Sequence, residues 1–283
     1  GEIHALCGEN GAGKSTLMKV LSGVYPAGTY TGEIFINGKL QSFNNIKDSE
    51  KAGVAIIYQE LALVKQMSVC ENIYLGNEFA KNKFINWDNT YVEAEKVLKE
   101  VRLNVNPLTK IVKLGIGQQQ LVEIAKAISK RAELLILDEP SAALTESETE
   151  NLLQILRELK DKGVTCIYIS HKLNEVFEIA DSVTVLRDGK TICTEDKNSI
   201  NEDFVITQMV GRELTQRFPK KNNKPGDVVL SVKNWTVYNP DIPDKKLIDN
   251  VSFELKKGEI LGVAGLMGAG RTELFMSIFG SYG

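Results

Sequence analysis

The chain has 283 residues, 43% hydrophobic and 25% charged, with a formal net charge of −3. That is the make-up of a globular protein with one large domain or two unequal ones; the absence of a dense basic block argues against a broad nucleic-acid footprint, and no apolar run reaches the roughly 20 residues of a membrane-spanning helix. Cys7, Cys70, Cys166 and Cys193 form no CxxC pair, so neither a disulfide framework nor a zinc site is expected, and all four read as buried, reduced thiols.

The first element is a strand, a loop and a helix. Apolar "IHALC" leads into Gly8, Glu9, Asn10, Gly11, Ala12, Gly13, Lys14, Ser15 and Thr16, and Leu17, Met18, Val20 and Leu21 follow at helical spacing. The run satisfies G-x-x-x-x-G-K-[ST] in the strand-to-helix context that the motif requires. Glycines let successive backbone N–H groups converge on phosphate oxygens, and the helix N-terminus adds positive potential. The Lys14 ammonium reaches the outer phosphates, and the Ser15 hydroxyl suits Mg²⁺. "GEIFINGKLQSF" then places Asn37-Gly38 between two β-prone runs, a hairpin signal that predicts some antiparallel sheet.

Further along, "NWDNTYVEAEKVLKEV" aligns Tyr91, Ala94, Leu98 and Val101 on one face of a helix, and "QQQLVEIAKAI" does the same with Leu121, Ile124, Ala125 and Ile128,. "LLIL" at 134–137 and "VTCIYIS" at 164–170 read as strands covered on both faces,. Between them lies a helix with Leu152, Ile155, Leu156 and Leu159 on its apolar side and Gly163 past its end,. Apolar runs alternating with amphipathic ones predict an α/β fold with a mainly parallel sheet flanked by helices. Asp138 stands at the end of the first of these strands, placed to orient Mg²⁺ or its water, and Glu139 beside it can act as general base on an attacking water. Taken alone, such a pair is more often a solvated strand end; next to a phosphate loop, the metal-and-base reading prevails.

Residues 1–23 align without a gap on residues 258–280, with Gly1, Glu2, Ile3, Gly8, Gly11, Ala12, Gly13, Leu17 and Gly23 recurring. An internal repeat at this separation predicts two tandem domains of one kind. The second copy carries Gly265, Gly268, Gly270, Arg271 and Thr272, with arginine in place of lysine. The expected division is a first domain over 1–217, a linker over 218–227 rich in Lys, Asn and Pro, and the start of a second domain over 228–283,. A chain opening on "GEIHALCG" and stopping soon after the second loop reads as one cut inside a domain at both ends.

Five motifs in order carry a resemblance to the ATP-binding cassette family, in its bacterial monosaccharide-importer branch: the loop at 8–15, "YQE" with Gln59, "LGIGQQQ" at 114–120, "LDEPSAAL" at 137–144, and "SHK" with His171. They cover nearly the whole first domain. The resemblance implies a P-loop ATPase of the cassette type, with an antiparallel β subdomain and a helical subdomain, that uses ATP and Mg²⁺. It implies that Gln59 senses Mg²⁺ and the γ-phosphate, that His171 contacts the γ-phosphate and orients base and water, and that "SAAL" crosses between paired domains. Metal ligation then falls to Ser15, Gln59 and Asp138, and the chemistry to Lys14, Glu139 and His171. The other histidine, His4, keeps a structural reading.

Two departures from the family pattern stand out. Leu114, Gly115, Ile116, Gly117 and Gln118 hold the place of an LSGGQ signature but lack its serine, which weakens the clamp on the γ-phosphate by about 1.5–3 kcal/mol. Arg271 keeps the charge of lysine but not its compact shape. In the family's head-to-tail pairing of cassettes both deviant elements fall in one composite site, so the expectation is one hydrolysing and one slow or silent site. The aromatic residue that stacks on adenine is expected upstream of residue 1.

"IIYQELALVKQMSVCENIYLGNE", "VGRELTQRFPK" and "GAGRTE" are most similar to xylose importers, with ribose and galactose importers close behind. That likeness implies a peripheral protein on the cytoplasmic face of the cell membrane, working with membrane permease subunits and, indirectly, a periplasmic or extracellular sugar-binding protein, and without nucleic acid. A competing reading is a soluble tandem cassette protein acting on ribosomes or DNA. Such proteins usually keep lysine in both loops and insert long charged helices between the domains, which this chain does not.

Overall fold

The computed structural model describes residues 1–81, 84–211, 225–239, 242, 244–266 and 268–281. Two compact units divide the chain, Gly1–Leu214 and Thr215–Gly283. Most of the expected linker, residues 218–224, lies outside the described residues.

In the first unit the elements run β1 (Ile3–Cys7), α1 (Lys14–Leu21), β2 (Ile34–Ile36), β3 (Lys39–Gln41), α2 (Ile46–Lys51), β4 (Val54–Ile57), α3 (Val69–Tyr74), β5 (Ala80–Lys81), β6 (Phe84–Ile85) and α4 (Trp87–Glu100). After them come α5 (Ile116–Ser129), β7 (Leu134–Asp138), α6 (Glu146–Asp161), β8 (Thr165–Ile169), α7 (Leu173–Ile179), β9 (Ser182–Arg187), β10 (Lys190–Asp196) and α8 (Glu202–Val210). One six-stranded sheet has the order β10-β9-β1-β8-β7-β4. All of its neighbours pair in parallel except β9 and β10, which form an antiparallel edge. Strands β1, β8, β7 and β4 therefore end on one edge, where an open α/β sheet places its ligands.

The strands are apolar because helices cover them. Ile3, Ala5, Cys7, Leu135, Leu137, Cys166 and Tyr168 are all within 1% of full burial in one cluster, into which α6 sets Leu152, Ile155, Leu156 and Leu159, and also Leu153. At about 1.5–3 kcal/mol for each large aliphatic side chain buried, this seam dominates the local energetics. Thr145 caps α6, accepting from Glu148 N–H while the Glu148 carboxylate accepts from Thr145 N–H at 2.9 Å, and Gly163 follows its end with φ 92°,. The Asn37-Gly38 hairpin forms with both φ positive, 50° and 73°, as a type I′ turn demands.

Burial adds detail to three expected helices and corrects the expectation that all four cysteines are buried. On α1 only Lys14 and Met18 are buried, and Leu17 is 38% exposed, because the helix presses one narrow side on the cluster of Leu6, Val54 and Ile136. On α4 Val97 is buried and Tyr91 only half-buried. Helix α5 is buried on more than one face, with Val122, Glu123 and Ala127 inside and Ile128 only partly covered, since it packs against α3 and α4 as well as β4. The four cysteines are free, but Cys193, on the edge strand β10, is half-exposed.

The second unit holds the antiparallel pair β11 (Val228–Tyr238) and β12 (Lys246–Lys256), and α9 (Arg271–Ile278). Trp235 Nε1 donates to Ser277 Oγ at 2.9 Å and ties α9 to the pair. Residues 259–266, which repeat β1 in sequence, are not a strand, and Ile260 and Leu266 are 88% and 86% exposed.

Candidate functional site

The loop after β1 is shaped by what surrounds it. A Cβ on Gly8 would meet the Leu186 carbonyl oxygen at 2.6 Å and the Ala12 side chain at 3.0 Å, so only glycine fits. Gly11 and Gly13 take φ of 86° and 102°, which glycine adopts without strain. The Ala12 N–H donates to Glu9 C=O, and the Gly189 N–H donates to Ala12 C=O, each at 3.1 Å. The turn between β9 and β10, Asp188-Gly189, thus props the loop. Glu9, Asn10, Gly11, Ser15 and Thr16 stay exposed. Gly13 caps α1 without a side-chain bond and the first turn carries no acidic residue, so its N–H groups and the positive end of the helix dipole are left to an anion. The Lys14 side chain, 9% exposed, reaches back and donates to Gly8 C=O at 2.7 Å and Glu9 C=O at 3.1 Å.

The ends of the neighbouring strands face the same edge. Asp138 closes β7, and Glu139 follows with φ 47°, a left-handed turn that costs a non-glycine residue about 1–3 kcal/mol. The Glu139 N–H donates to Ile169 C=O at 2.9 Å, which fastens this turn to β8. Glu139 itself is largely covered, and its carboxylate lies 3.1 Å from Nδ1 of the exposed His171. Gln59 is exposed, two residues beyond β4, the strand that pairs with β7. The structure therefore brings Lys14, Asp138, Glu139, His171 and Gln59 to one edge of the sheet. His4 belongs elsewhere, its ring nitrogens 2.7 Å from Thr184 Oγ1 and 2.8 Å from Ser182 Oγ.

Burial pushes the Asp138 carboxyl above its ordinary value, the Glu139 charge adds to this, and the Lys14 ammonium opposes both. Such a carboxyl has no effect on stability where folded and unfolded states both hold the proton. It destabilises the fold increasingly as pH rises from its unfolded value through its raised folded value. Asp138→Asn is therefore expected to raise the thermal midpoint of the nucleotide-free protein at pH 7. The gain should shrink as pH falls toward about 4; scanning calorimetry across that range checks it.

Residues 114–118 open α5. Leu114 and Gly117 are buried, and Gly115, Ile116 and Gln118 are exposed. The Gln118 side chain accepts from Gly115 N–H at 3.2 Å, and a Cβ on Gly117 would collide with the Glu148 carboxylate. Among the described residues no hydrogen bond or ion pair joins this segment to the phosphate loop. Of this segment, Gly115, Ile116 and Gln118 lie at the surface.

The family model described as ABC transporter matches residues 1–142. The chain belongs to the ABC transporter family. Its fold is that of an ATP-binding cassette: the crystal structure of the ADP conformation of an ATP-binding cassette of an ABC transporter is 26% identical, with a TM-score of 0.64 over 75% of this chain and 88% of that one. The chain is 68% identical over 282 residues to the xylose import ATP-binding protein XylG of Thermoanaerobacter pseudethanolicus, and 59% identical over 286 residues to the L-arabinose transport ATP-binding protein AraG of Geobacillus stearothermophilus. Both matches cover 100% of this chain and 56% of the relative, so the chain spans little more than half the length of these proteins.

The second unit repeats the cassette's loop in form. Gly268 and Gly270 have φ of 80° and 82°, Ala269 N–H donates to Leu266 C=O at 3.1 Å, and a Cβ on Gly265 would meet Ala269 at 3.0 Å. Arg271 and Thr272 begin α9, but the first turn of that helix carries Glu273, where the first loop has Thr16. A carboxylate there offsets the helix dipole that would attract phosphate. Reading the sequence missed both Glu273 and the prop at Gly189, although "RDGK" is itself a hairpin signal.

Proposed function

We propose that the first unit binds and hydrolyses ATP to energise import of a monosaccharide, of the D-xylose class, through a membrane permease. The observation that carries this reading is the Lys14 ammonium lying 2.7 and 3.1 Å from the Gly8 and Glu9 carbonyls, at the uncompensated N-terminus of α1. An ATP phosphate entering there exchanges neutral carbonyl acceptors for anionic ones. The ammonium then gains the Coulomb attraction of an opposite charge, which a carbonyl does not offer. Glu139 takes the proton of the attacking water, and His171, 3.1 Å away, holds that carboxylate and the γ-phosphate side of the site in register.

Among the described residues no group of three or more His, Cys, Asp and Glu side chains is placed to hold a metal ion. The donor set here is different: the Ser15 hydroxyl, the Gln59 amide and the half-buried Asp138 carboxyl. These are hard oxygen donors of the kind Mg²⁺ takes alongside substrate phosphates. Bound there, the ion supplies charge neutralisation on the phosphates.

No helix among the described residues is long and apolar enough to cross a membrane, and a permease partner has to be met from the surface. The stretch between Gln59 and Leu114 exposes Phe79, Phe84, Trp87, Leu108 and Val112, consistent with a permease-facing role at the cytoplasmic face of the membrane. A sugar-binding protein outside the membrane completes the system. The division proposed is a first cassette over 1–217, a linker over 218–227 and the start of a second cassette from 228. The first loop hydrolyses, and the second, with Arg271 and Glu273, binds nucleotide with slow turnover. The sugar is tested by uptake of labelled D-xylose, L-arabinose, D-ribose and D-galactose into vesicles holding the whole system. ATP-dependent uptake is expected for the pentoses, xylose first; uptake of galactose alone overturns the assignment.

A further inference from the structure

One buried carboxylate near the site takes no part in the chemistry described above. Glu175, on α7, is 3% exposed. Its Oε2 accepts from Ser141 Oγ at 2.5 Å, from Tyr168 OH at 2.7 Å and from Ser170 Oγ at 3.5 Å, while Lys172 Nζ lies 3.1 Å from its Oε1. Lys172 Nζ also donates to Ser141 C=O at 3.0 Å, and Lys172 N–H donates to Ser170 Oγ at 3.0 Å. Ser141, Tyr168 and Ser170 are each at most 3% exposed.

The partners come from three places. Ser141 lies two residues past Glu139 in the segment that leaves β7. Ser170 and Lys172 flank His171. Tyr168 belongs to β8; burial and the Glu175 carboxylate push its phenol far above its ordinary value, so it remains a donor. A charged acceptor buried among three hydroxyls and an ammonium is a stiff junction, because moving any one donor leaves a desolvated polar group unpaired.

We infer that Glu175 is a positioning residue for hydrolysis: its carboxylate locks the Ser141 segment to the Ser170–Lys172 loop and so sets His171 against Glu139. Displacing Ser141, in the "SAAL" segment exposed beyond it at Ala142 and Ala143, is then felt at His171 without any contact between the two. The ammonium of Lys172 bridges both sides of the junction, which is why the displacement is shared and not absorbed by one hydroxyl.

The inference rests on the ATPase reading, and the test separates the two. In the intact protein, Ser141→Ala and Glu175→Gln are expected to lower kcat for ATP about tenfold or more, since misplacing a reacting group by ~1 Å costs up to ~10²-fold, with KM within about twofold. Tyr168→Phe, which removes a donor from the same carboxylate but lies in β8 and in neither loop, should lower the thermal midpoint and lower kcat less than Ser141→Ala does. Adding Glu175→Gln to His171→Ala should cost little more than His171→Ala alone. A second readout needs no turnover. In ¹³C-histidine spectra the His171 signal is identified as the one lost in His171→Ala, and it should move in Ser141→Ala while that of His4, identified in the same way, stays. Equal losses in kcat, KM and midpoint, full additivity with His171→Ala, or an unmoved His171 signal would overturn the inference. A wild-type protein without hydrolysis refutes the ATPase reading instead, and the His171 signal still decides the junction.

Discussion

Replacing Lys14 by alanine is expected to reduce ATP hydrolysis of the intact protein by about 10²- to 10³-fold, the loss typical of removing one preorganised donor from developing phosphate charge, and to weaken nucleotide binding with it. The ammonium is almost wholly buried against Gly8 and Glu9 carbonyls. Truncation therefore removes a positive charge and leaves two acceptors facing an incoming anion. Arg271→Ala should retain most of the activity, because the loop it serves begins a helix already bearing Glu273 in its first turn. Phosphate release and equilibrium binding of a fluorescent ATP analogue, measured on both variants, check the ranking. A larger loss at Arg271 than at Lys14 would reverse the assignment of the two loops.

Glu139→Gln separates binding from chemistry. The glutamine keeps the size of the side chain and tolerates the same left-handed backbone no worse than glutamate does, but it cannot take a proton from water. Turnover is expected to fall by about 10²- to 10⁴-fold, the range of a lost general base, while ATP affinity stays within a few-fold or rises. The rise is physical: the negative charge of Glu139 disfavours both the neighbouring Asp138 carboxylate and the ATP phosphates, and glutamine removes it. Single-turnover hydrolysis with ATP in slight deficit, followed by quench and separation of ADP, gives the number. A variant that hydrolyses at the parental rate would move the base to another group.

Much of the fold and of the site was legible in the residues alone, for reasons that differ between elements. The strands β7 and β8 and the helix α6 announce themselves because they are covered on defined faces, so their apolar residues fall at the periods the backbone imposes. The phosphate loop was legible because its chemistry needs glycine at fixed positions. Helix α5 was harder. It lies against α3, α4 and β4 at once, so the single apolar face read from Leu121, Ile124, Ala125 and Ile128 undercounts what is buried, and nothing local marks Glu123 as an interior residue. The junction at Glu175 was invisible for a related reason. Its partners at 141, 168, 170 and 172 are ordinary hydroxyl, phenol and amine residues in sequence, and only the packing of α7 over two strand ends makes them meet. His171 and Glu139 are 32 positions apart and meet because β7 and β8 run side by side.

Strand β1 lies between β8 and β9, and its loop leans on Leu186 and Gly189. A ribosome therefore releases the whole GENGAGKS segment long before it releases anything that can hold it in shape. Until some 180 further residues have followed it out, the emerging motif is a stretch of glycine-rich coil whose amides point nowhere in common. Contacts of such long sequence separation are slow to close, so shaping of the phosphate loop waits on the β9–β10 turn. A nascent chain stalled anywhere before the β9–β10 turn carries the full phosphate motif and has no use of it.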